Sequence, residues 1–271
     1  MTHVETGTIL DEILARTTAD LAERRFTVPI SDLEAAARVR PAPLSLRAAL
    51  AGPEMSVIAE IKRASPSRGT FPVAVEPASL AGDYIAGGAK AISVLTDEPF
   101  FQGSLGDLAA AARIAHAHVS PVPVLRKDFV VDPYQIAEAR AHGADAVLLI
   151  VAALDDSALA ELLATASTWG MDALVEVHDE REMERAATVG AKIVGINNRN
   201  LKSFAVDLRV TERLAPLAPA DAVIVAESGV FESSDVKRLH EAGARAVLVG
   251  EGVVTAPDRT EAVRALLTWL S

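Results

Sequence analysis

The chain has 271 residues, half of them hydrophobic and none of them cysteine, which removes disulfides, thiolate metal sites and a cysteine nucleophile together. Its 37 acidic against 26 basic residues leave a formal charge of −11, and that balance argues against nucleic acid or an anionic membrane as partner. No apolar stretch approaches the length of a membrane span, and the first residues hold no signal-peptide apolar region, so a cytoplasmic location is expected.

Residues 1–51 read as a helical extension. Ile9, Leu10, Ile13, Leu14 and Leu21 fall on one helical face, with Asp11, Glu12, Arg16, Asp20 and Glu23 elsewhere. Such a stripe is expected to pack on the domain that follows rather than to bind a partner. Pro41-Ala42-Pro43 then leads into a second short piece, Ser45–Leu50.

Eight apolar runs follow, at intervals of roughly twenty to thirty-five residues, the spacing of a β/α unit. They are Val57–Lys62, Ala91–Thr96, Pro123–Lys127, Ala146–Ala152, Ala173–Glu176, Ile193–Asn197, Val223–Ser228 and Ala246–Glu251. Every run but the fourth ends in a polar or charged residue. Four are preceded by nearly one phrase: Gly88-Ala89-Lys90, Gly143-Ala144-Asp145, Gly190-Ala191-Lys192 and Gly243-Ala244-Arg245. Glycine past a helix end supplies a left-handed cap, and a branched apolar run follows as the next strand. Helical periodicity fills the intervals, as in Asp107–His118, Asp132–His142, Ser157–Trp169, Glu180–Val189 and Ser233–Glu241. No G-x-G-x-x-G follows the first run, which counts against a dinucleotide-binding sheet. The pattern predicts an α/β fold, one (β/α)8 TIM barrel spanning 1–271 with the N-terminal helical extension packed on it.

Barrel active sites lie at the C-terminal ends of the strands, and alternation predicts which residues face inward. Glu60 and Lys62 share the inward face of the first strand with Ile58; Lys127, Glu176, Asn197, Arg199 and Glu227 face the mouth from four others. Charges of both signs crowded there are expected to raise some glutamates and lower some lysines toward neutrality, which suits acid and base work. The strand ends lack the histidines that metal-assisted hydrolysis needs, and only His178 lies near the mouth, just beyond Glu176; no metal is expected. A Schiff-base aldolase remains open, because Lys62 and Lys127 could equally form imines or move protons.

The last two strands end in Ser228-Gly229 and Gly250-Glu251-Gly252, small residues that leave backbone N–H groups free where such barrels hold phosphate. Phe71, Phe100, Phe101, Phe129, Phe204 and Phe231 all fall in loops leaving strand C-termini, and they either receive a flat ligand ring or plug the barrel top.

Five motifs now stand in order: V-I-A-E-I-K-R-A-S-P-S-R-G at Val57–Gly69, L-R-K-D-F at Leu125–Phe129, L-V-E-V-H at Leu174–His178, G-I-N-N-R-N-L at Gly195–Leu201 and A-E-S-G-V at Ala226–Val230. From about Ile9 to Val254 the chain closely resembles indole-3-glycerol phosphate synthase, a lyase family of tryptophan biosynthesis. The resemblance implies a small-molecule substrate with an anthranilate ring and a ribulose phosphate, 1-(2-carboxyphenylamino)-1-deoxyribulose 5-phosphate. Ring closure would give indole-3-glycerol phosphate with loss of CO2 and water, and no cofactor is implied.

By the same resemblance, Lys127 matches the general acid and Glu176 the general base of the dehydration half. Lys62 would neutralise the carboxylate or phosphate and share the acid role. Glu60, Asn197 and Glu227 would hold the sugar hydroxyls or fix the lysines, with Arg199 near the carboxylate. Phe101 and Phe129 would contact the substrate. Ser65, Ser228, Gly229, Gly250 and Glu251 would complete the phosphate and ribulose contacts, Glu251 through its backbone N–H with its side chain pointing away. Residues Arg63–Pro72 are long enough, and rich enough in Pro, Ser and Gly, to act as a lid. A phosphoribosylanthranilate isomerase is expected to need a cysteine that this chain lacks. A non-catalytic sugar-phosphate-binding barrel is the alternative of another class. A monomer is expected.

Overall fold

The computed structural model describes residues 6–268; the parts of the expected extension and barrel that fall on 1–5 and 269–271 lie outside the described residues. Eight parallel strands close into a barrel: β1 Ser56–Ile61, β2 Ala91–Leu95, β3 Val124–Lys127, β4 Ala146–Ile150, β5 Asp172–Val177, β6 Ile193–Asn197, β7 Val223–Glu227 and β8 Ala246–Val249. Neighbours in sequence are neighbours in space, and β8 returns to β1 with Ser56 opposite Ala246.

The repeated glycine phrases close helices as expected. Gly88, Gly143, Gly190 and Gly243 all have φ between +77° and +108°, and each following alanine N–H donates back to a helix carbonyl, as Ala144 does to Ala139 at 3.0 Å. A side chain at those angles would be strained, so glycine is what lets helix and strand meet in so short a turn.

Three helices precede the barrel: α1 Ile9–Thr27, α2 Ile30–Arg38 and α3 Leu46–Leu50. Thr8 caps α1 by accepting from the Leu10 N–H at 3.1 Å, and Asp11, Glu12 at one end with Arg24, Arg25 at the other complement the helix dipole. The stripe expected from periodicity is buried, but it divides. Leu10 and Leu14 join the main core beside Leu46 and Leu50, while Leu21 packs with Leu33, Ala37, Tyr134 and Ala137 in a separate small cluster.

Between β1 and β2 lies α4 Pro77–Ala86, and α5 Glu98–Phe101 with α6 Leu105–Ala117 follow β2. Then come α7 Pro133–Ala141, α8 Asp156–Thr168, α9 Glu180–Thr188, α10 Arg209–Leu214, α11 Ser233–Glu241, α12 Glu251–Val254 and α13 Arg259–Leu266. Five strands stop short of the ends expected for their runs, at Ile61, Leu95, Ile150, Glu227 and Val249, and in three of them a local turn ends the strand. Val151–Ala153 turns into a 3-10 segment, Ser228 leaves β7 in a left-handed conformation at φ 65°, and Gly250 caps α12. The expected lid carries structure of its own, a short hairpin pairing Ala64–Ser65 with Gly69–Thr70.

Arg126 on β3 faces the helix layer and is completely buried. Its guanidinium donates to Thr96 Oγ1 at 3.0 Å, Asp128 Oδ2 at 2.7 Å and the Gln135 carbonyl at 2.8 Å, and lies 2.9 Å from Glu138. Glu138 also takes Arg24 of α1 at 3.1 Å, so a chain of buried charge ties the extension to the strand that carries Lys127.

Candidate active site

The C-terminal ends of the strands open into one cavity. Its wall includes Glu60, Lys62, Ser65, Phe101, Lys127, Phe129, Glu176, Asn197, Arg199, Glu227, Ser228, Gly229, Gly250, Glu251 and Gly252. Every site residue expected from the sequence therefore stands on the same surface. Of the six mouth phenylalanines, Phe101, Phe129, Phe204 and Phe231 line it; Phe100 and Phe71 do not. Phe71 is buried beside Lys62, its ring centroid 5.9 Å from Nζ.

At the centre stands Lys127. Its Nζ donates to Glu176 Oε2 at 3.0 Å and lies 3.3 Å from Glu227 Oε2. Asn197 Nδ2 donates to the other Glu176 oxygen at 3.1 Å, and Lys62 Nζ pairs with Glu60 at 2.8 Å. These carboxylates are almost fully buried, so each cation is set against low-dielectric surroundings.

The charges move only in part as the crowding argument expects: a glutamate rises, but Lys127 does not fall. Burial alone would lower the Lys127 ammonium, but Glu176, Glu227 and Glu60 outweigh it and hold the group well above the ordinary lysine range. Glu176 runs the other way: burial would raise it, yet Lys127, His178 and Asn197 hold it far below the usual carboxylate range. For Glu227, burial dominates and the neighbouring Glu176 adds to it, pushing the carboxyl up to about 8 against the pull of Lys127. One ammonium thus serves one ionised and one neutral carboxyl, because two adjacent buried carboxylates resist ionising together.

Glycines line the far side. Gly229 has φ +85° and a Cβ there would overlap the Val206 side chain, so the turn after β7 admits glycine alone without strain. Gly250 lies against the Glu60–Lys62 pair and caps α12, and it lines the cavity with Glu251 and Gly252. The Glu251 side chain does not enter that cradle free: it pairs with Arg68 of the hairpin at 3.1 Å. Gln102 Nε2 donates to Thr70 Oγ1 at 2.8 Å and ties the hairpin from the other side.

The opposite end is apolar. Phe101 and Phe129 stand with ring centroids 6.1 Å apart at a 39° tilt, and Ile9, Leu10 and Ile13 of α1 complete that wall. The amphipathic stripe of α1 gives no hint of this, since a face turned to a cavity and a face turned to a core carry the same residues. A Cβ at Gly195 would overlap Glu227 Oε1, so its absence gives Glu227 room. His178, expected near the mouth, lies outside the cavity wall, behind Glu176. Among the described residues no group of three or more His, Cys, Asp or Glu side chains is arranged to hold a metal, and no helix is long and apolar enough to cross a membrane.

A closed parallel barrel whose mouth combines an acid–base cluster, a glycine-lined anion cradle and an apolar wall defines a sugar-phosphate-handling barrel enzyme. Likeness to solved structures shows the fold alone: thiamine phosphate pyrophosphorylase from Pyrococcus furiosus matches with a TM-score of 0.59 at 16% identity over 82% of this chain and 96% of its own. A 3-hexulose-6-phosphate synthase matches at 0.58 and 19% identity over 78% of this chain and 98% of its own. Sequence carries the assignment further. The chain belongs to the indole-3-glycerol phosphate synthase family, whose model matches residues 10–266. Curated proteins named indole-3-glycerol phosphate synthase are 52% identical in Mycolicibacterium gilvum, over 97% of this chain and 94% of that one, and 49% identical in Roseiflexus sp., over 96% and 98%.

Proposed function

We propose that the chain converts 1-(2-carboxyphenylamino)-1-deoxyribulose 5-phosphate to indole-3-glycerol phosphate, with Lys127 as general acid and Glu176 as general base. The observation that carries this reading is the Lys127 ammonium held charged between Glu176 and Glu227. A lysine in that state is a proton donor and a poor imine nucleophile, which favours acid catalysis over a Schiff base.

The ring sits between Phe101, Phe129 and α1, and the phosphate at Ser228, Gly229 and Gly250. The ring carbon bearing the carboxylate attacks the ketone carbon while Lys127 protonates the ketone oxygen. The carboxylate leaves as CO2 and its electron pair restores aromaticity. In the second half the new hydroxyl leaves as water with a proton from an acid, the role of Lys62, and Glu176 takes a proton from the ring system. Two protons go in and one comes out, so one is consumed overall, matching the negative charge lost with the carboxylate. The 3.0 Å contact lets Glu176 return its proton to Lys127 between turnovers.

Glu60 holds Lys62, Asn197 aims Glu176, and Arg199 with Ser65 contacts the anionic groups. The Ala64–Thr70 hairpin closes over the ligand, its Arg68 exchanging Glu251 for phosphate; unchanged proteolysis of the hairpin on adding product would count against closure. The barrel acts as one domain with the 1–51 extension, as a cytoplasmic monomer. The test is a fluorescence assay of metal-free protein with chelator present, following indole-3-glycerol phosphate. Product formation supports the whole reading; tight substrate binding without product favours a non-catalytic barrel.

A further inference from the structure

His178 sits directly after β5 and immediately before the cap of α9, and the helix start fixes its ring. Asp179 accepts from the Glu182 N–H at 2.9 Å, and Glu182 reaches back so that its Oε2 accepts from both the His178 backbone N–H at 2.8 Å and Nδ1 at 2.9 Å. With Nδ1 committed to Glu182, Nε2 is left 3.3 Å from Glu176 Oε1. The imidazole therefore has a carboxylate oxygen facing each nitrogen, and its side chain is only 12% exposed. Nε2 makes no hydrogen bond, so its approach to Glu176 is an ion-pair contact; a neutral ring would turn a lone pair toward one carboxylate, whereas an imidazolium is attracted to both.

We propose that His178 is a positioning residue of the reaction: as an imidazolium wedged between Glu176 and Glu182, it keeps Glu176 ionised and aimed into the cavity after Lys127 has given its proton to substrate. This rests on the acid and base roles proposed above. Glu176 has two cationic neighbours, Lys127 on Oε2 and His178 on Oε1. When Lys127 becomes neutral, the first of these is lost at the moment the base must still be empty. Without His178, the buried carboxylate would recapture that proton instead of waiting for the one on the ring system. His178 does not line the cavity, so it acts on substrate only through Glu176. The two carboxylates facing the ring from β5 and α9 outweigh its burial and raise it to about 10, in keeping with a cation throughout the neutral range.

Nitrogen-15 NMR of histidine-labelled protein between about pH 6 and pH 9 reads the ring directly. Both ring nitrogens protonated at neutral pH is the expected result, and a neutral tautomer there overturns the proposal. His178→Gln keeps an amide donor near Glu176 but no charge. Its kcat is expected to fall about tenfold or more, the factor one pKa unit represents, with KM and product affinity within about twofold of the parent. Glu182→Gln, which leaves the imidazole in place, should make kcat decline with rising pH earlier than the parent does. Parental kcat in His178→Gln, or an unmoved profile in Glu182→Gln, sinks the inference. A Glu176→Gln enzyme at full rate would instead remove the base assignment itself, whatever the NMR shows.

Discussion

A Cβ added to Gly250 would come within 2.9 Å of the Lys62 ammonium and 2.5 Å of its partner Glu60 Oε1. The Lys62–Glu60 pair, at 2.8 Å, thus occupies the space that the missing side chain leaves. Gly250→Ala should push the pair aside and lower kcat/KM by at least about tenfold, since displacement of even an ångström at a reacting centre is costly. Steady-state kinetics beside circular dichroism checks this. A fully active, folded variant would show that the pair has slack.

Lys127→Ala should abolish turnover while calorimetry finds substrate binding within about tenfold of the parent, because the lost interaction belongs to the transition state. Glu176→Gln should behave alike. Near-parental kcat in either variant would overturn that residue's role.

Glu227 titrates at about 8 in the folded chain against an ordinary value of 4.5. Between those values the folded protein holds a proton that the unfolded chain has released, so stability contributed by this group declines as pH rises through that window. Glu227→Gln removes the decline. Denaturant unfolding at about pH 5 and about pH 9 should find the variant gaining on the parent at the higher pH. Parallel pH dependence in the two proteins would contradict the burial argument.

Ile9 is half-buried on the apolar cavity wall. Ile9→Ala removes roughly 1 kcal/mol of apolar contact felt equally by substrate and transition state, so KM should rise about fivefold with kcat little changed. A change in kcat instead would mean that α1 positions the catalytic groups rather than the ring.

Strand alternation was enough to turn Glu60, Lys62, Lys127, Glu176, Asn197 and Glu227 inward, because a period of two leaves each residue one choice of face. The repeated Gly-Ala phrases placed the helix–strand turns for the same kind of local reason. What escaped depends on distances between elements far apart in sequence. Some of the mouth lysines were expected to drift toward neutrality, yet two carboxylates from β5 and β7 converge on Lys127 and raise it. Ile9 and Ile13 looked like core, and only the docking of α1 at the barrel mouth makes them cavity wall. The pairing of His178 with Glu182 was available in the sequence, as a histidine before an acidic helix start with a glutamate four residues on, but the contact to Glu176 was not.

The barrel is sealed by its first and last strands, Ser56 pairing with Ala246, and the glycine-lined end of the cavity draws on both of them and on Gly250 just beyond. On a ribosome, β1 therefore waits through the synthesis of nearly the whole chain with one edge unsatisfied. Nascent chains ending before β8 carry Lys62, Lys127, Glu176 and Glu227 yet have no assembled cavity, and the open edges of β1 and β7 make them candidates for chaperone capture.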